Sequence, residues 1–143
     1  MFNSILVVCV GNICRSPIGE RLMQKLLPTK KIASAGIMAL VGKPADSSAN
    51  LVAKQNSLSL EGHQAVQLTA KMCHEYDLIL VMEKVHIEMI CNIAPEARGK
   101  IMLYGHWNQQ EVADPYRQSM EAFEFVYSIL NSSAQKWAEI LNR

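Results

Sequence analysis

The sequence predicts an α/β fold: a single-domain, doubly wound sheet of four parallel strands with helices on both faces. Apolar runs of strand length alternate along the chain with segments of helical periodicity. The runs are continuously apolar, as in Ile5-Leu-Val-Val8 and Asp77-Leu-Ile-Leu-Val-Met82, which marks strands covered on both sides. Right-handed helical crossovers between such strands then give a small doubly wound sheet. The 143 residues suit one domain, 1–143, with a sizeable core.

In chain order, residues 4–9 form the first strand. Ser16 is expected to cap the next helix with Pro17 in its first turn, and Ile18, Leu22, Met23, Leu26 and Leu27 make its apolar face. Pro28 ends it. Residues 31–35 form a second strand closed by Gly36. Asp46 caps a helix of about ten residues that turns Ala49, Val52 and Ala53 inward. Leu60-Glu-Gly-His63 makes a turn, and Thr69 caps a short helix ending near Glu75. Residues 77–82 are the most apolar run and the central strand. A helix follows from Glu83 to about Asn92, stopped near Pro95, and residues 100–104 give the fourth strand. The last helix runs from about Ser119 to Asn142, with Phe123, Val126, Tyr127, Leu130, Ala134, Trp137 and Leu141 on one face.

Composition excludes several classes. A formal net charge of +1 gives no electrostatic reason to expect nucleic acid. No apolar run approaches the roughly 18 residues of a membrane span, and the N-terminus lacks the basic start of a signal peptide. A cytoplasmic protein without membrane insertion is expected. The four cysteines, at 9, 14, 73 and 91, match no zinc spacing and read as free thiols.

The informative stretch is Cys9-Val-Gly-Asn-Ile-Cys-Arg15-Ser-Pro17, a tight turn from a strand's C-terminal end into a helix N-terminus. Such a turn collects free amides and the positive end of a helix dipole, a site for a doubly charged anion. The same features, with Arg15, favour the thiolate of Cys9, the nucleophilic form. Five residues between Cys9 and Arg15 let the backbone curl around one centre, and the guanidinium can clamp two phosphoryl oxygens. Gly11 and Asn12 are expected at the positive-φ positions of that curl. Ser16 can donate its hydroxyl to the thiolate.

Ligands of doubly wound sheets bind beyond the strands' carboxyl ends. Cys9, Ser34 with Gly36, Glu83, and the loop carrying Asp114 all leave strands at that edge. Asp114 can therefore reach the thiol and serve as general acid, then as base for water. This two-step covalent chemistry needs no metal and no cofactor. The role of Glu83 stays open. His74, His86 and His106 read as surface or packing residues, Cys73 and Cys91 as core thiols, and the methionines as core filler.

Val8-Cys-Val-Gly-Asn-Ile-Cys-Arg-Ser-Pro17, Ser34-Ala-Gly36 and Asp114-Pro-Tyr116 together resemble the low-molecular-weight protein tyrosine phosphatases, over essentially the whole chain. The resemblance is closest to bacterial members linked to capsule and exopolysaccharide production, which act on tyrosine-phosphorylated kinases that control polysaccharide export. It implies Cys9 as nucleophile, Arg15 as clamp and Asp114 as acid/base. Val10, Gly11, Asn12, Ile13, Cys14 and Ser16 would line the phosphate site. Asn12, Ser16, Ser34 and His63 would form a network holding the loop. Tyr116 would flank the substrate ring, with Leu40 and Ile13 as other walls. The implied partner is a tyrosine-phosphorylated protein, a bacterial tyrosine kinase, met by a monomer.

The chain departs from many eukaryotic relatives at two positions. Arg117 replaces a second aromatic after Asp-Pro-Tyr, and Leu40 an aromatic of the cleft, so ring stacking weakens and Arg117 is free to meet acidic groups of a partner. Cys14 is expected to trap oxidised Cys9 as a reversible disulfide. Two other functions compete. A thiol-dependent arsenate reductase would need relay cysteines, and Cys73 and Cys91 lie far apart across the apparent central strand. A phosphotyrosine-binding module would not need both Cys9 and Asp114.

Overall fold

The computed structural model describes residues 2–142; Met1 and Arg143, the two ends of the expected domain, lie outside the described residues. Four strands, β1 (Ser4–Cys9), β2 (Lys31–Gly36), β3 (Leu78–Val81) and β4 (Ile101–Leu103), pair in the order β2-β1-β3-β4. All three pairings are parallel, with Val7 opposite Ser34 on one side and Leu80 on the other. The helices are α1 (Arg15–Leu26), α2 (Ser47–Gln55), α3 (Ala70–Glu75), α4 (Lys84–Ile93) and α5 (Met120–Leu141).

Period-two alternation along β1 divides the core. Ile5, Val7 and Cys9 join one apolar cluster with Leu22, Met23, Val52, Phe123 and Trp137, so α1, α2 and α5 cover that face. Leu6 and Val8 join the other cluster with Cys73, Ile90 and Cys91, beneath α3 and α4. The order of crossovers reverses at β1, which has β2 on one side and β3 on the other. That reversal opens a crevice at the strands' carboxyl ends, and the Cys9 loop sits in it.

Most expected elements occur within a residue or two of their sequence boundaries. Asp46 accepts the amides of Ser48 and Ala49, and Thr69 accepts that of Met72, as cap chemistry requires. The expectation for α1 was wrong in one respect. Its N-cap position is Cys14, without a side-chain cap, and Ser16 and Pro17 already lie inside the first turn. The Ser16 hydroxyl is engaged inside the loop and is not available as a cap. Two 3₁₀ turns, Pro95–Lys100 and His106–Asn108, were not foreseen.

Candidate active site

The loop from Cys9 to Arg15 is held by one buried asparagine. Asn12 adopts φ 60°, in the left-handed region that Asn tolerates better than most residues. Its Nδ2 donates to Ser16 Oγ at 2.7 Å and to Ser34 Oγ at 3.0 Å. Its Oδ1 accepts the Val66 amide at 2.9 Å, which fixes the orientation of the carboxamide. Its carbonyl accepts from His63 Nε2 at 2.6 Å, so that ring carries its proton on Nε2. Asn12 is fully buried with every hydrogen-bonding group of its side chain used.

Gly11, expected at positive φ beside Asn12, is not there: among the described residues the positive-φ glycines are Gly42 and Gly62. Asn12 alone makes the turn. A side chain at position 11 would lie against Ile13 and Leu40 and narrow the cleft. A different glycine is sterically demanded. A Cβ on Gly36 would stand 2.5 Å from the Val10 carbonyl, so the end of β2 can approach the loop only without a side chain.

Ser34 extends the network by donating to Glu20 Oε1 at 3.2 Å. Burial raises the Glu20 carboxyl above its usual range, against the pull of Arg21 and the Ser34 hydrogen bond. Burial likewise pushes His63 down, so its imidazole is neutral near pH 7, although its bond to the Asn12 carbonyl works the other way.

Cys9 Sγ lies 3.0 Å from Ser16 Oγ. Because that oxygen already accepts from Asn12, its own hydrogen is free to point at sulfur. The hydroxyl can therefore stabilise a thiolate on Cys9. Cys14 is also a buried free thiol on the same cavity. Burial first, then Asp46, Cys9 and Asp114, push its pKa strongly up, so it is held as the neutral thiol.

Arg15 is buried, and one of its terminal nitrogens is fully occupied. Nη1 donates to Glu83 Oε2 at 2.7 Å and to the Val112 carbonyl at 2.8 Å. These two acceptors hold the guanidinium from behind and leave Nη2 and Nε to meet an anion. Glu83 also balances the charge of the buried guanidinium. Its position at the carboxyl end of β3 was legible as proximity to the pocket; its bond to Arg15 was not. The Val112 contact is to backbone, and no side-chain pattern signals it.

Val112 also sets Asp114. It is fully buried, its amide donates to the Met82 carbonyl at 2.9 Å, and its carbonyl meets Arg15. Two residues on, Asp114 Oδ2 stands 3.9 Å from Arg15 Nη2, with its side chain half exposed. Its Oδ1 accepts the Tyr116 amide at 3.0 Å, an Asx turn that leaves Oδ2 facing the cleft.

Cys9, Val10, Gly11, Ile13, Cys14, Arg15, Leu40, Asp114 and Tyr116 thus line one cavity of about 180 Å³, together with Met38. The remaining expected site residues, Asn12, Ser16, Ser34 and His63, stand behind it as the buried network. Met38 departs from the expectation that methionines fill the core: it is 67% exposed on the cavity rim. Arg117 lies with its guanidinium 5.1 Å from the Tyr116 ring centroid. His74 and His106 are exposed, His74 being paired with Glu96. His86 is buried beside Glu83.

The pattern of the low molecular weight phosphotyrosine protein phosphatase family matches residues 4–143. The chain belongs to that family. It is 59% identical to the low molecular weight protein-tyrosine-phosphatase Wzb of Escherichia coli K12, covering 99% of this chain and 97% of that one. Among solved structures, the Erwinia amylovora tyrosine phosphatase AmsI superposes with a TM-score of 0.98 at 60% identity, over 100% of this chain and 95% of that one. Vibrio vulnificus Wzb, solved in complex with benzylphosphonate, gives 0.95 at 60% identity, over 97% and 99%. The chain is accordingly a low molecular weight protein-tyrosine phosphatase. Among its described residues, no helix is long and apolar enough to cross a membrane.

Proposed function

We propose that this phosphatase removes phosphate from a tyrosine kinase that governs exopolysaccharide or capsule production, working in the cytoplasm through a cysteinyl-phosphate on Cys9. The observation that carries the chemistry is the cavity that holds Cys9, Arg15 and Asp114 together. In the first step the Cys9 thiolate attacks phosphorus. A sulfur–phosphorus bond forms as the bond to the tyrosyl oxygen breaks, and protonated Asp114 gives its proton to the departing phenoxide. Nη2 and Nε of Arg15, with the loop amides, take up the charge on the equatorial oxygens. In the second step the Asp114 carboxylate removes a proton from water attacking phosphorus. The sulfur–phosphorus bond breaks, and inorganic phosphate leaves with Cys9 again a thiolate.

The walls suit an aryl ester. Ile13, Leu40 and Tyr116 give an apolar slot above the phosphate site, and benzylphosphonate in the Vibrio vulnificus relative is a ligand of that shape. The arsenate reductase reading is weakened by the placement of Cys73 and Cys91. Both belong to the apolar cluster on the sheet face away from Cys9, and both are buried. The experiment that tests the substrate is trapping: Cys9→Ser or Asp114→Ala protein exposed to cell extract should retain a tyrosine-phosphorylated polysaccharide kinase. Retention of other phosphoproteins without that kinase would refute the assignment.

A further inference from the structure

We propose that His86 is a positioning residue for the phosphoryl clamp, with its neutral imidazole fixing Glu83 in the orientation that anchors Arg15. The inference rests on the reading of Arg15 as the group that holds the phosphoryl oxygens. His86 is 2% exposed and sits in the first turn of α4, three residues after Glu83. Its Nδ1 accepts the Glu83 amide hydrogen at 3.2 Å. Nδ1 must therefore be bare, and the proton of the neutral ring lies on Nε2. Nε2 in turn stands 3.6 Å from Glu83 Oε2, the same oxygen that accepts from Arg15 at 2.7 Å. The ring thus grips the backbone of Glu83 on one side and presents a positive edge to its carboxylate on the other.

Glu83 needs that support. Its side chain is one-third exposed, whereas the guanidinium it holds is almost wholly buried. A carboxylate in that setting has water as a competing partner, and each alternative rotamer would leave Nη1 of Arg15 held by the Val112 carbonyl alone. The neutral state of His86 fits its surroundings. Burial, then the Arg15 cation, lower its pKa, against the opposing pull of Glu83, Asp114 and Glu111. A protonated ring would lose the Glu83 amide bond and compete with Arg15 for the same carboxylate oxygen. The plainer role for His86 is to stabilise the start of α4. That role would lower thermal stability without touching the affinity for phosphate.

The test compares His86→Ala, His86→Asn, His86→Gln, Glu83→Ala and the Glu83→Ala/His86→Ala pair. The readouts are competitive inhibition by inorganic phosphate and kcat/KM on p-nitrophenyl phosphate. His86→Ala should weaken phosphate inhibition and lower kcat/KM by roughly ten- to a hundredfold, the size of a clamp displaced by a fraction of an ångström. Gln at this third helical position can reach back to accept the Glu83 amide while its NH2 group faces the carboxylate, and should recover activity to within about threefold, whereas the shorter Asn should recover less. In the Glu83→Ala background, loss of His86 should have no further effect on phosphate inhibition, because the two act through one contact. Should His86→Ala fail to fold, the Asn and Gln variants carry the same comparison. The proposal is overturned if His86→Ala and His86→Asn lower only thermal stability and leave phosphate inhibition unchanged, or if the two losses add in the double variant. Arg15→Lys with undiminished phosphate inhibition would instead refute the clamp reading itself.

Discussion

The floor and the rim of the cleft are built by opposite rules. The floor is buried and over-determined: Asn12, Ser16, Ser34 and His63 satisfy one another, and Arg15 is held from behind by Glu83 and Val112. The rim is open. Asp114 is half exposed, Leu40 and Tyr116 more than a third, and Arg117 rests on the Tyr116 ring. Phosphoryl transfer needs donors fixed before charge develops, and a buried satisfied network supplies them without reorganisation. A protein substrate needs room and adaptable contacts, which an exposed rim supplies. The satisfied floor thus suits the fixed donors of phosphoryl transfer, and the exposed rim suits contact with a partner.

Substitutions should separate along this line. Cys9→Ser should show the largest effect, lowering turnover by at least about 10⁴-fold while inorganic phosphate still binds, since the cradle survives. Asp114→Ala tests the proposed acid on the rim. It should cost about 10²- to 10⁴-fold on phosphotyrosine peptides and far less on activated aryl phosphates. Equal losses on both would remove Asp114 as the acid.

Asn12 tests the floor. Asn12→Ala removes three side-chain hydrogen bonds at a buried, left-handed residue, and should destabilise by about 2–4 kcal/mol, with a smaller loss for Gly, which tolerates that backbone. A chemical denaturation series on both variants measures the difference. At the rim, Arg117→Tyr should change KM for acidic phosphopeptides by only a few-fold and leave kcat unaltered, consistent with an exposed charge worth roughly 1 kcal/mol or less.

The gentlest probe is pH. Burial holds the pKa of both His63 and His86 below the ordinary histidine value of about 6.5. In the unfolded chain these rings take up protons first as pH falls. Stability from their neutral forms is therefore complete above about pH 6.5 and is lost as pH drops from there through the folded-state values. Glu20, raised by burial, contributes with the opposite sign at lower pH. His63→Gln, which keeps a donor toward the Asn12 carbonyl, should flatten the fall of Tm below pH 6.5. An unchanged slope would mean that His63 is not a source of it. Cys14 adds an oxidative version of this test. As a thiol held protonated, it should close a bridge to peroxide-oxidised Cys9 slowly at neutral pH and faster as pH rises.

How much of this was legible in the sequence depends on the scale of the signal. Continuous apolar runs located β1 and β3, and Asp46, Thr69 and Ser119 marked helix starts because their capping bonds are local. Cys9, Arg15 and Asp114 could be brought to one edge by topology alone. What escaped depended on long-range contacts or on competition between partners. Ser16 has the identity of a cap, yet Cys9 and Asn12 claim its hydroxyl. Gly11 has the identity of a positive-φ residue, yet Asn12 takes that conformation. Gly36 looked like a strand terminator, and its real constraint is the Val10 carbonyl of the neighbouring loop. The anchors of Arg15 come from residues far along the chain, one of them a backbone carbonyl.

Two-step catalysis from the buried floor requires that Cys9 be phosphorylated and its cysteinyl-phosphate then hydrolysed. Rapid-quench turnover of a phosphotyrosine peptide, with the enzyme digested and mapped by mass spectrometry under acid, tests it most directly. A phosphoryl group should form on Cys9 as fast as the dephosphorylated peptide is released, and be absent from Cys9→Ser protein treated in the same way. Release of that peptide at full rate with no phosphorylated Cys9 at any time, or with the phosphoryl group on another residue, would contradict two-step catalysis on Cys9.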